Sequence, residues 1–285
     1  MNFINKATQA ALSILVLGTI ITGCQKMDRP ALGDYPQDAS LPGGPLKFYA
    51  AYDGTTANKS MAAVDSIKAN FGVVNGSGTF VTGGISGNSY QGSGGTGFIQ
   101  YPSANDFTST TTAFTVAFWI KKTPQAAGSG TNYAFALNNS GYSWTNLKLF
   151  FEFEDAGNPS TTALAAGKFY VMDQWVEYTK HTTTEDRMPK VLDGTWHHLA
   201  FTYTSSNSIL LAYIDGVLFH TDKVGGPLGA VDFSGANGFT VGGPGQQAHD
   251  ANTWMGNLDG QIDQFRLYGT ALSASDVLAL FNSKK

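Results

Sequence analysis

The feature of this sequence that most constrains its fold is a strict alternation of side chains in residues 113–121 (AFTVAFWIK). Bulky apolar side chains occupy every second position, at Phe114, Val116, Phe118 and Ile120. A period of two places these side chains on one face of a β-strand. The 285 residues also include 34 glycines, 19 Phe, 12 Tyr and 5 Trp, a composition that favours short strands and tight turns. The sequence therefore predicts an all-β fold.

Further strands follow the same pattern towards the C-terminus. Residues 146–154 (NLKLFFEFE) and 168–178 (KFYVMDQWVEY) predict an antiparallel pair. Residues 196–204 (WHHLAFTYT) and 209–219 (ILLAYIDGVLF) also predict strand structure, with Leu199, Phe201 and Tyr203 on one face. The Asp-Gly dipeptide at 215–216 indicates a tight hairpin turn, because glycine readily adopts a positive φ.

A short helix is predicted to follow the last strand, residues 261–268 (QIDQFRLY). Ser273 is a suitable N-cap residue, and Asp276 lies three residues later, as in a capping box. Leu272 and Val277 have the spacing of a hydrophobic staple around that cap. The predicted architecture is thus a set of antiparallel strands that ends in a C-terminal helix.

Charge and cysteine content exclude several classes of function. The 17 basic and 21 acidic side chains give a net charge of −4, so the chain has no basic field to hold a phosphate backbone. Nucleic acid is therefore not an expected partner. The single cysteine, Cys24, excludes intramolecular disulfides and multi-cysteine zinc or iron–sulfur sites. The stability of the domain must come from packing.

The N-terminus has the pattern of a bacterial export signal. One basic residue, Lys6, precedes a 12-residue apolar run at 10–21, which is too short to span a bilayer comfortably. Residues 21–24 (ITGC) resemble a lipobox, in which the cysteine is lipidated and becomes the new N-terminus. Residues 1–23 are therefore predicted to be a lipoprotein signal peptide, and Cys24 the membrane anchor. The alternative is a buried N-terminal helix with a chance cysteine.

A linker and one large domain are predicted to follow the signal peptide. Residues 24–45 hold four of the ten prolines and no apolar periodicity, which is typical of a flexible linker. Residues 46–285 contain no second linker and predict a single domain. Gln25 after the cysteine fits delivery to the outer membrane, and residues 25–28 loosely resemble a surface-export tether. We therefore expect an exported protein, lipid-anchored to the outer membrane and exposed at the cell surface.

Several motifs in this domain resemble a known family. They are GTWHHLAFTY at 194–203, YIDG at 213–216, LDGQIDQFRLYGTAL at 258–272 and ALSASDVLALF at 271–281, with YDG at 52–54 and FTVAFW at 114–119 upstream. Together they resemble the concanavalin A-like, laminin G-like jelly-roll domain of bacterial surface lipoproteins over residues 46–282. The resemblance implies two stacked antiparallel sheets, one of them often concave and lectin-like. Because this fold hosts lectins, glycan-binding modules, adhesive domains and glycoside hydrolases, it does not imply one function.

A glycoside hydrolase is the least favoured of these functions. Hydrolases of this fold resemble one another in a strand with Glu-x-Asp-x-Glu, because retaining enzymes need two carboxyl groups about 5–5.5 Å apart on one face. Glu152 and Glu154 share a face, but Phe153 replaces the central acid and Asp155 has the wrong parity. The motif is broken, so these acids are expected on the solvated face of a half-buried strand, and no catalytic residue is predicted.

Two aspartates are candidates for a structural calcium site. Asp263 has the same parity as Phe265 and Leu267, and a carboxylate on an inward face must find hydrogen-bond donors or a cation. It could accept backbone N–H groups, or it could bind calcium together with Asp53, because such domains often hold a structural calcium. Both alternatives remain open from the sequence, and no other cofactor is expected.

A candidate ligand site is formed by aromatic residues in polar surroundings. Sugar binding requires exposed aromatic rings beside polar groups that can reach hydroxyls. The candidate ligand-binding residues are Trp144, Trp175, Tyr178, His249, Asp250 and Trp254. The alternative is that these rings simply cover an end of the sandwich. We therefore expect a non-catalytic, carbohydrate-binding surface lipoprotein, with an architectural or adhesive protein-binding domain as the alternative.

Overall fold

The structure analysed is a computed structural model of the chain. It describes residues 45–53, 61–62, 70–71, 73–126, 128–138, 147–154, 160–179, 186–225, 228–236, 238–245, 248, 250 and 252–284. The predicted signal peptide, Cys24 and nearly all of the predicted linker lie outside the described residues, as do Trp144 and His249.

Twenty strands and two helices make up the described part of the chain. The strands are β1 (Leu46–Ala50), β2 (Met61–Ala62), β3 (Asn70–Phe71), β4 (Val73–Asn75), β5 (Thr79–Thr82), β6 (Asn88–Ser93), β7 (Phe98–Tyr101), β8 (Phe114–Lys121), β9 (Thr131–Asn138), β10 (Leu147–Phe153), β11 (Leu164–Ala165), β12 (Gly167–Val171), β13 (Gln174–Tyr178), β14 (Met188–Pro189), β15 (Trp196–Thr204), β16 (Ile209–Ile214), β17 (Val217–Lys223), β18 (Gly238–Val241), β19 (Met255–Asn257) and β20 (Asp259–Tyr268). The helices are α1 (Phe107–Thr110) and α2 (Ala274–Ser283).

Eighteen of the twenty strands form two large sheets that face each other, and β11 and β14 pair as a small third sheet. The first sheet has ten strands in the order β17-β16-β15-β8-β20-β1-β2-β3, with β6 beside β20 and β5 beside β6. The second has eight strands in the order β13-β12-β10-β9-β18-β7-β4, with β19 beside β9. The pairing of β19 with β9 is parallel, whereas the other pairings described are antiparallel. The predicted all-β jelly-roll sandwich with a short C-terminal helix is confirmed.

The main core lies between the two sheets and is largely aromatic. Phe118 of β8 stacks on Phe265 of β20 at a ring-centroid distance of 5.7 Å, and Phe151 and Phe169 of the second sheet contact Phe201 of the first at 4.9 and 4.7 Å. Each such ring contributes roughly 1.5–3 kcal/mol when it is buried. The alternating residues of β8, Phe114, Val116, Phe118 and Ile120, all lie in this core, so the prediction that they share one face is confirmed.

The outer face of the first sheet is also buried, because α2 packs on it. Trp119 of β8 is almost fully buried, with its ring centroid 5.5 Å from Phe281 of the helix and 5.2 Å from His198 of β15. Ala117 of the same strand belongs to an apolar cluster with Val277 of α2. This helix explains why the second face of the strand predicted at residues 113–121 is not polar.

The predicted cap and hairpin are both present. Ser273 accepts a hydrogen bond from the backbone N–H of Asp276, and the Asp276 side chain bonds back to the N-cap N–H. Asp215 and Gly216 link β16 to β17 with φ values of 52° and 77°, as a two-residue turn with two positive φ angles requires. In contrast, the segment predicted at 168–178 is itself a hairpin of two strands, β12 and β13. In the described part of the chain, no helix has both the length and the apolar character needed to cross a bilayer.

Candidate functional site

A row of three aromatic residues crosses the outer face of the second sheet. Phe150 of β10 lies opposite Tyr170 of β12, which lies opposite Trp175 of β13. The rings of Phe150 and Tyr170 stack at 4.7 Å, and Trp175 meets Tyr170 edge-on at 4.9 Å. Trp175 stands at the edge strand of the sheet and is only half-buried. We call Phe150, Tyr170 and Trp175 the aromatic row.

A row of charged residues runs beside the aromatic row, two residues along each strand. Glu152 of β10 pairs with Lys168 of β12, which pairs with Glu177 of β13. The Nζ atom of Lys168 lies 2.6 Å from Oε2 of Glu154 and 4.0 Å from Oε1 of Glu177. The same ammonium lies 5.6 Å from the centroid of the Trp175 ring, within range of a cation–π contact. We call Glu152, Glu154, Lys168 and Glu177 the charged row.

The sequence predicts Glu152 and Glu154 on a solvated face, but in the structure both are buried. Only 1% of Glu152 and 4% of Glu154 is exposed. Burial raises the pKa of Glu152 to about 7, and the charge of Glu154 adds to this rise. The hydroxyl of Tyr133 on β9 lies beside the carboxyl group of Glu152 and opposes the rise in its pKa.

Two further predicted ligand-binding residues, Asp250 and Trp254, lie near the outer face of this sheet. Ala248 and Met255 pack on Tyr133 and Tyr170, in an apolar cluster that Trp175 also contacts. The backbone N–H of Thr131 and its side-chain hydroxyl both donate to the carbonyl of Trp254. Asp250 is exposed, and 42% of the Trp254 side chain is exposed. The structure thus brings Trp175 and the segment that bears Trp254 to the same face.

Tyr178, also a predicted ligand-binding residue, lies in the main core. It is fully buried, and its ring centroid lies 5.8 Å from those of Phe219 and His220. Trp175 and Glu177 have one parity along β13 and Tyr178 has the other, so its side chain points between the sheets. Tyr178 is therefore not part of the exposed platform predicted from the sequence.

Lys168, Tyr170 and Glu177 were not predicted from the sequence. The alternation that places them on one face is visible in the sequence, with Lys168 and Tyr170 two residues apart and Trp175 and Glu177 likewise. The sequence predicts one strand over residues 168–178, whereas the turn at Met172 and Asp173 reverses the chain and brings the two pairs side by side.

Asp263, predicted to bind backbone N–H groups or calcium, has backbone partners on both carboxylate oxygens. Oδ2 accepts from the N–H groups of Ile85 at 2.7 Å and Ser86 at 3.4 Å, and Oδ1 accepts from that of Gln264 at 2.7 Å. This is the arrangement expected from the first of the two alternatives.

The sequence predicts that Asp263 shares the inward face with Phe265 and Leu267, and this prediction is wrong. A β-bulge lies between Asp263 and Arg266, with Gln264 at a φ of 47°. The extra residue shifts the alternation, so that Ile262 joins Phe265 and Leu267 in the main core. Asp263 instead lies opposite Trp119.

Asp53 and Asp263 hold the same loop, residues 83–88. Asp53 accepts a hydrogen bond from the N–H of Asn88 at 2.7 Å. Burial raises the pKa of Asp263 to about 7, the N–H of Ile85 opposes this rise, and the charge of Asp53 adds to it. A Cβ atom at Gly84 or Gly87 would collide with Asp263 or Asp53, respectively, so the loop lies against both carboxylates.

Carboxylate and carbonyl oxygens are the donors that calcium prefers. A cation would offset the repulsion between Asp53 and Asp263, but both oxygens of Asp263 already accept backbone N–H groups. Among the described residues, no three His, Cys, Asp or Glu side chains form a metal-binding group. Calcium would therefore need backbone or water oxygens as further ligands.

Known proteins resemble this chain in fold. The fourth domain of AbnA, an extracellular arabinanase of Geobacillus stearothermophilus solved with arabinotriose, has a TM-score of 0.54 and 19% identity, over 82% of this chain and 97% of that one. Botulinum neurotoxin type C, whose cell entry depends on interaction with two ganglioside molecules, has a TM-score of 0.55 and 14% identity, over 85% of this chain and 51% of that one.

Sequence comparison gives the family. A protein of Rattus norvegicus, "Sushi, von Willebrand factor type A, EGF and pentraxin domain-containing protein 1", is 27% identical over 171 residues, which is 60% of this chain. The matched region spans only 4% of the length of that relative. The family described as "Concanavalin A-like lectin/glucanases superfamily" matches residues 93–278, more than half of the chain. With two facing sheets and this match, the chain belongs to the concanavalin A-like lectin/glucanases superfamily.

Proposed function

We propose that this protein binds carbohydrate, without catalysis, on the outer face of its second sheet. The observation that carries the proposal is Trp175, which is half-buried at the edge strand with the charged row beside it, whereas Phe150 and Tyr170 are fully buried and support its ring. An aromatic ring offers an apolar surface to the C–H groups of a sugar, and nearby charged groups fix the hydroxyls by hydrogen bonds. Lys168 and Glu177 lie close enough to Trp175 to contact the same sugar.

The structural neighbours support a binding role. The arabinanase domain was solved with an arabinose oligosaccharide, and the neurotoxin depends on gangliosides. Identities of 19% and 14% make these proteins guides to the fold only. The match covers 97% of the arabinanase domain but only 51% of the neurotoxin chain, so the arabinanase domain gives the stronger support.

The geometry of the acidic residues supports binding without hydrolysis. Glycosidases need one carboxyl group that donates a proton and a second that reaches the sugar ring. Glu154 is buried and paired with Lys168 at 2.6 Å, and Glu152 is buried beside it. Neither carboxyl group is exposed to a glycosidic bond in this conformation.

Export and anchoring through Cys24 are part of the proposal and rest on the sequence motif at 21–24. A lipid on Cys24, followed by the linker predicted at 24–45, would hold the domain at the surface of the outer membrane. The glycan would then be met outside the cell.

A second candidate function is binding of a protein partner, as in an adhesive domain. Three apolar side chains are exposed near one edge of the first sheet: Val217 by 67%, Leu218 by 49% and Leu278 by 42%. Val217 and Leu218 lie on β17, the edge strand, and Leu278 of α2 lies against the turn at Gly216. Exposed apolar side chains at a sheet edge are typical of interaction surfaces.

A glycan microarray followed by titration calorimetry tests the first proposal. We expect Trp175→Ala to weaken binding about tenfold or more, which corresponds to about 1.4 kcal/mol of binding free energy. Trp196→Ala is the matched control, because Trp196 is also half-buried but belongs to the first sheet. Binding that survives Trp175→Ala unchanged would move the site elsewhere. A co-purified protein with no glycan signal would favour the second candidate.

A further inference from the structure

We infer that the binding face selects neutral glycans and rejects glycans that carry carboxylate or sulfate groups. This inference rests on the proposed function and names the ligand class of the same site. It follows from the excess of carboxylates in the charged row and from the ion pair that already occupies Lys168.

The charged row contains three carboxylates and a single ammonium. Glu152, Glu154 and Glu177 lie around Lys168, and the outermost, Glu177, is about half exposed at its side chain. An anionic ligand on Trp175 would meet Glu177 first. Like charges at such short distances repel, and the repulsion strengthens where protein displaces water.

Lys168 is not available to bind an acidic sugar. Its ammonium lies 2.6 Å from Glu154, which is buried, and 4.0 Å from Glu177. A ligand carboxylate would have to displace Glu154 and break its buried ion pair with Lys168, which is costly. Recognition of acidic sugars normally requires an uncommitted Arg or Lys. Lys168 is the one cation of the charged row, and Lys148, on the same face of β10, lies on the opposite side of the aromatic row and two strands from Trp175.

The test compares glycans that differ only in acidity. Suitable pairs are galacto- and galacturono-oligosaccharides, manno- and mannurono-oligosaccharides, and xylo-oligosaccharides with and without glucuronate branches. We expect a neutral member to bind and its acidic counterpart to bind about tenfold more weakly or not at all. The difference in affinity between the neutral and the acidic member should shrink as the salt concentration rises from 20 to 500 mM, because salt screens exposed charges.

Charge variants at exposed positions make the test specific. Glu177→Lys should narrow the preference for the neutral member, because it replaces the exposed carboxylate by a cation. Ser275→Lys is the control; it adds a positive charge on α2, on the first sheet, and should leave the preference unchanged. Melting curves of both variants, compared with that of the wild type, check that they fold.

The outcomes separate the two proposals. Equal or tighter binding of the acidic members, with Trp175→Ala still weakening it, would overturn the inference and leave the proposed function in place. No binding of any glycan would overturn both. A neutral preference that Glu177→Lys does not change would show that the charged row does not set the selectivity, and would also overturn the inference.

Discussion

The imidazole Nδ1 of His197 lies 2.8 Å from Oδ2 of Asp215, the first residue of the turn between β16 and β17. The other carboxylate oxygen accepts a hydrogen bond from the backbone N–H of His198 at 2.8 Å. One side chain at a position of positive φ therefore joins the turn to the start of β15. The hydrogen bond to Asp215 raises the pKa of His197 above its usual value.

Asp215→Asn should destabilise the domain more at low pH than at high pH. A raised pKa means that the ion pair contributes fully below pH 6.5, the ordinary value, and is lost as the pH rises through the folded-state value. We expect a loss of about 1–2 kcal/mol in the free energy of unfolding at pH 5.5, and a smaller loss at pH 9. Asparagine tolerates the positive φ, so the turn itself is kept. Urea unfolding at both pH values measures this, and equal losses would assign the effect to the N–H of His198 alone.

Glu152→Gln should stabilise the protein above neutral pH. The pKa of Glu152 is raised from 4.5 to about 7, so the folded state prefers the neutral acid. Stability from this group is greatest below pH 4.5 and falls as the pH rises to 7. A pKa difference of this size corresponds to about 3 kcal/mol. We therefore expect Glu152→Gln to raise the free energy of unfolding by an amount of that order at pH 8 and to change it little at pH 4, as measured by urea unfolding at both pH values.

The matched control for Glu152→Gln is Glu177→Gln, since Glu177 is an exposed member of the same charged row. It should change the free energy of unfolding very little at either pH. If Glu152→Gln behaves like this control at pH 8, the buried carboxylate is better solvated than the structure indicates.

Calcium should raise the melting temperature of the protein, and a chelator should reverse the rise. Asp53 and Asp263 would supply carboxylate oxygens, and binding to the folded state stabilises it by mass action. The measurement is a melting curve in calcium and in EGTA, for the wild type and for Asp53→Asn. Asp53 is the better position to change because Asp263 is fully buried. Identical curves for the wild type in both buffers would leave Asp263 as an acceptor for backbone N–H groups only.

Cys24→Ser should abolish lipidation. In cells that export the protein, we expect wild type to incorporate labelled fatty acid and to partition with membranes, because a lipidated Cys24 would anchor it. The serine variant should do neither, and its domain should melt at the same temperature as that of a soluble fragment starting at Gln25. Unlabelled wild-type protein free in the cytosol would refute the anchor.

Much of the fold was predictable because it depends on local rules. The alternation around Phe118, the Asp215-Gly216 turn and the Ser273 cap each need only a few neighbouring residues, and all three are present. The site was predicted only in part. Trp175 and the segment bearing Trp254 lie on one face, but Tyr178 belongs to the core.

By itself, the sequence determined several of the strands, one turn, one helix cap and the family that the chain resembles, because these signals are contained in short stretches. Only the tertiary structure decided that a bulge at Gln264 shifts the alternation around Asp263, and that Glu152 is buried. Burial and register depend on partners far along the chain, such as Tyr133 and Met255, and a single strand carries no signal of them.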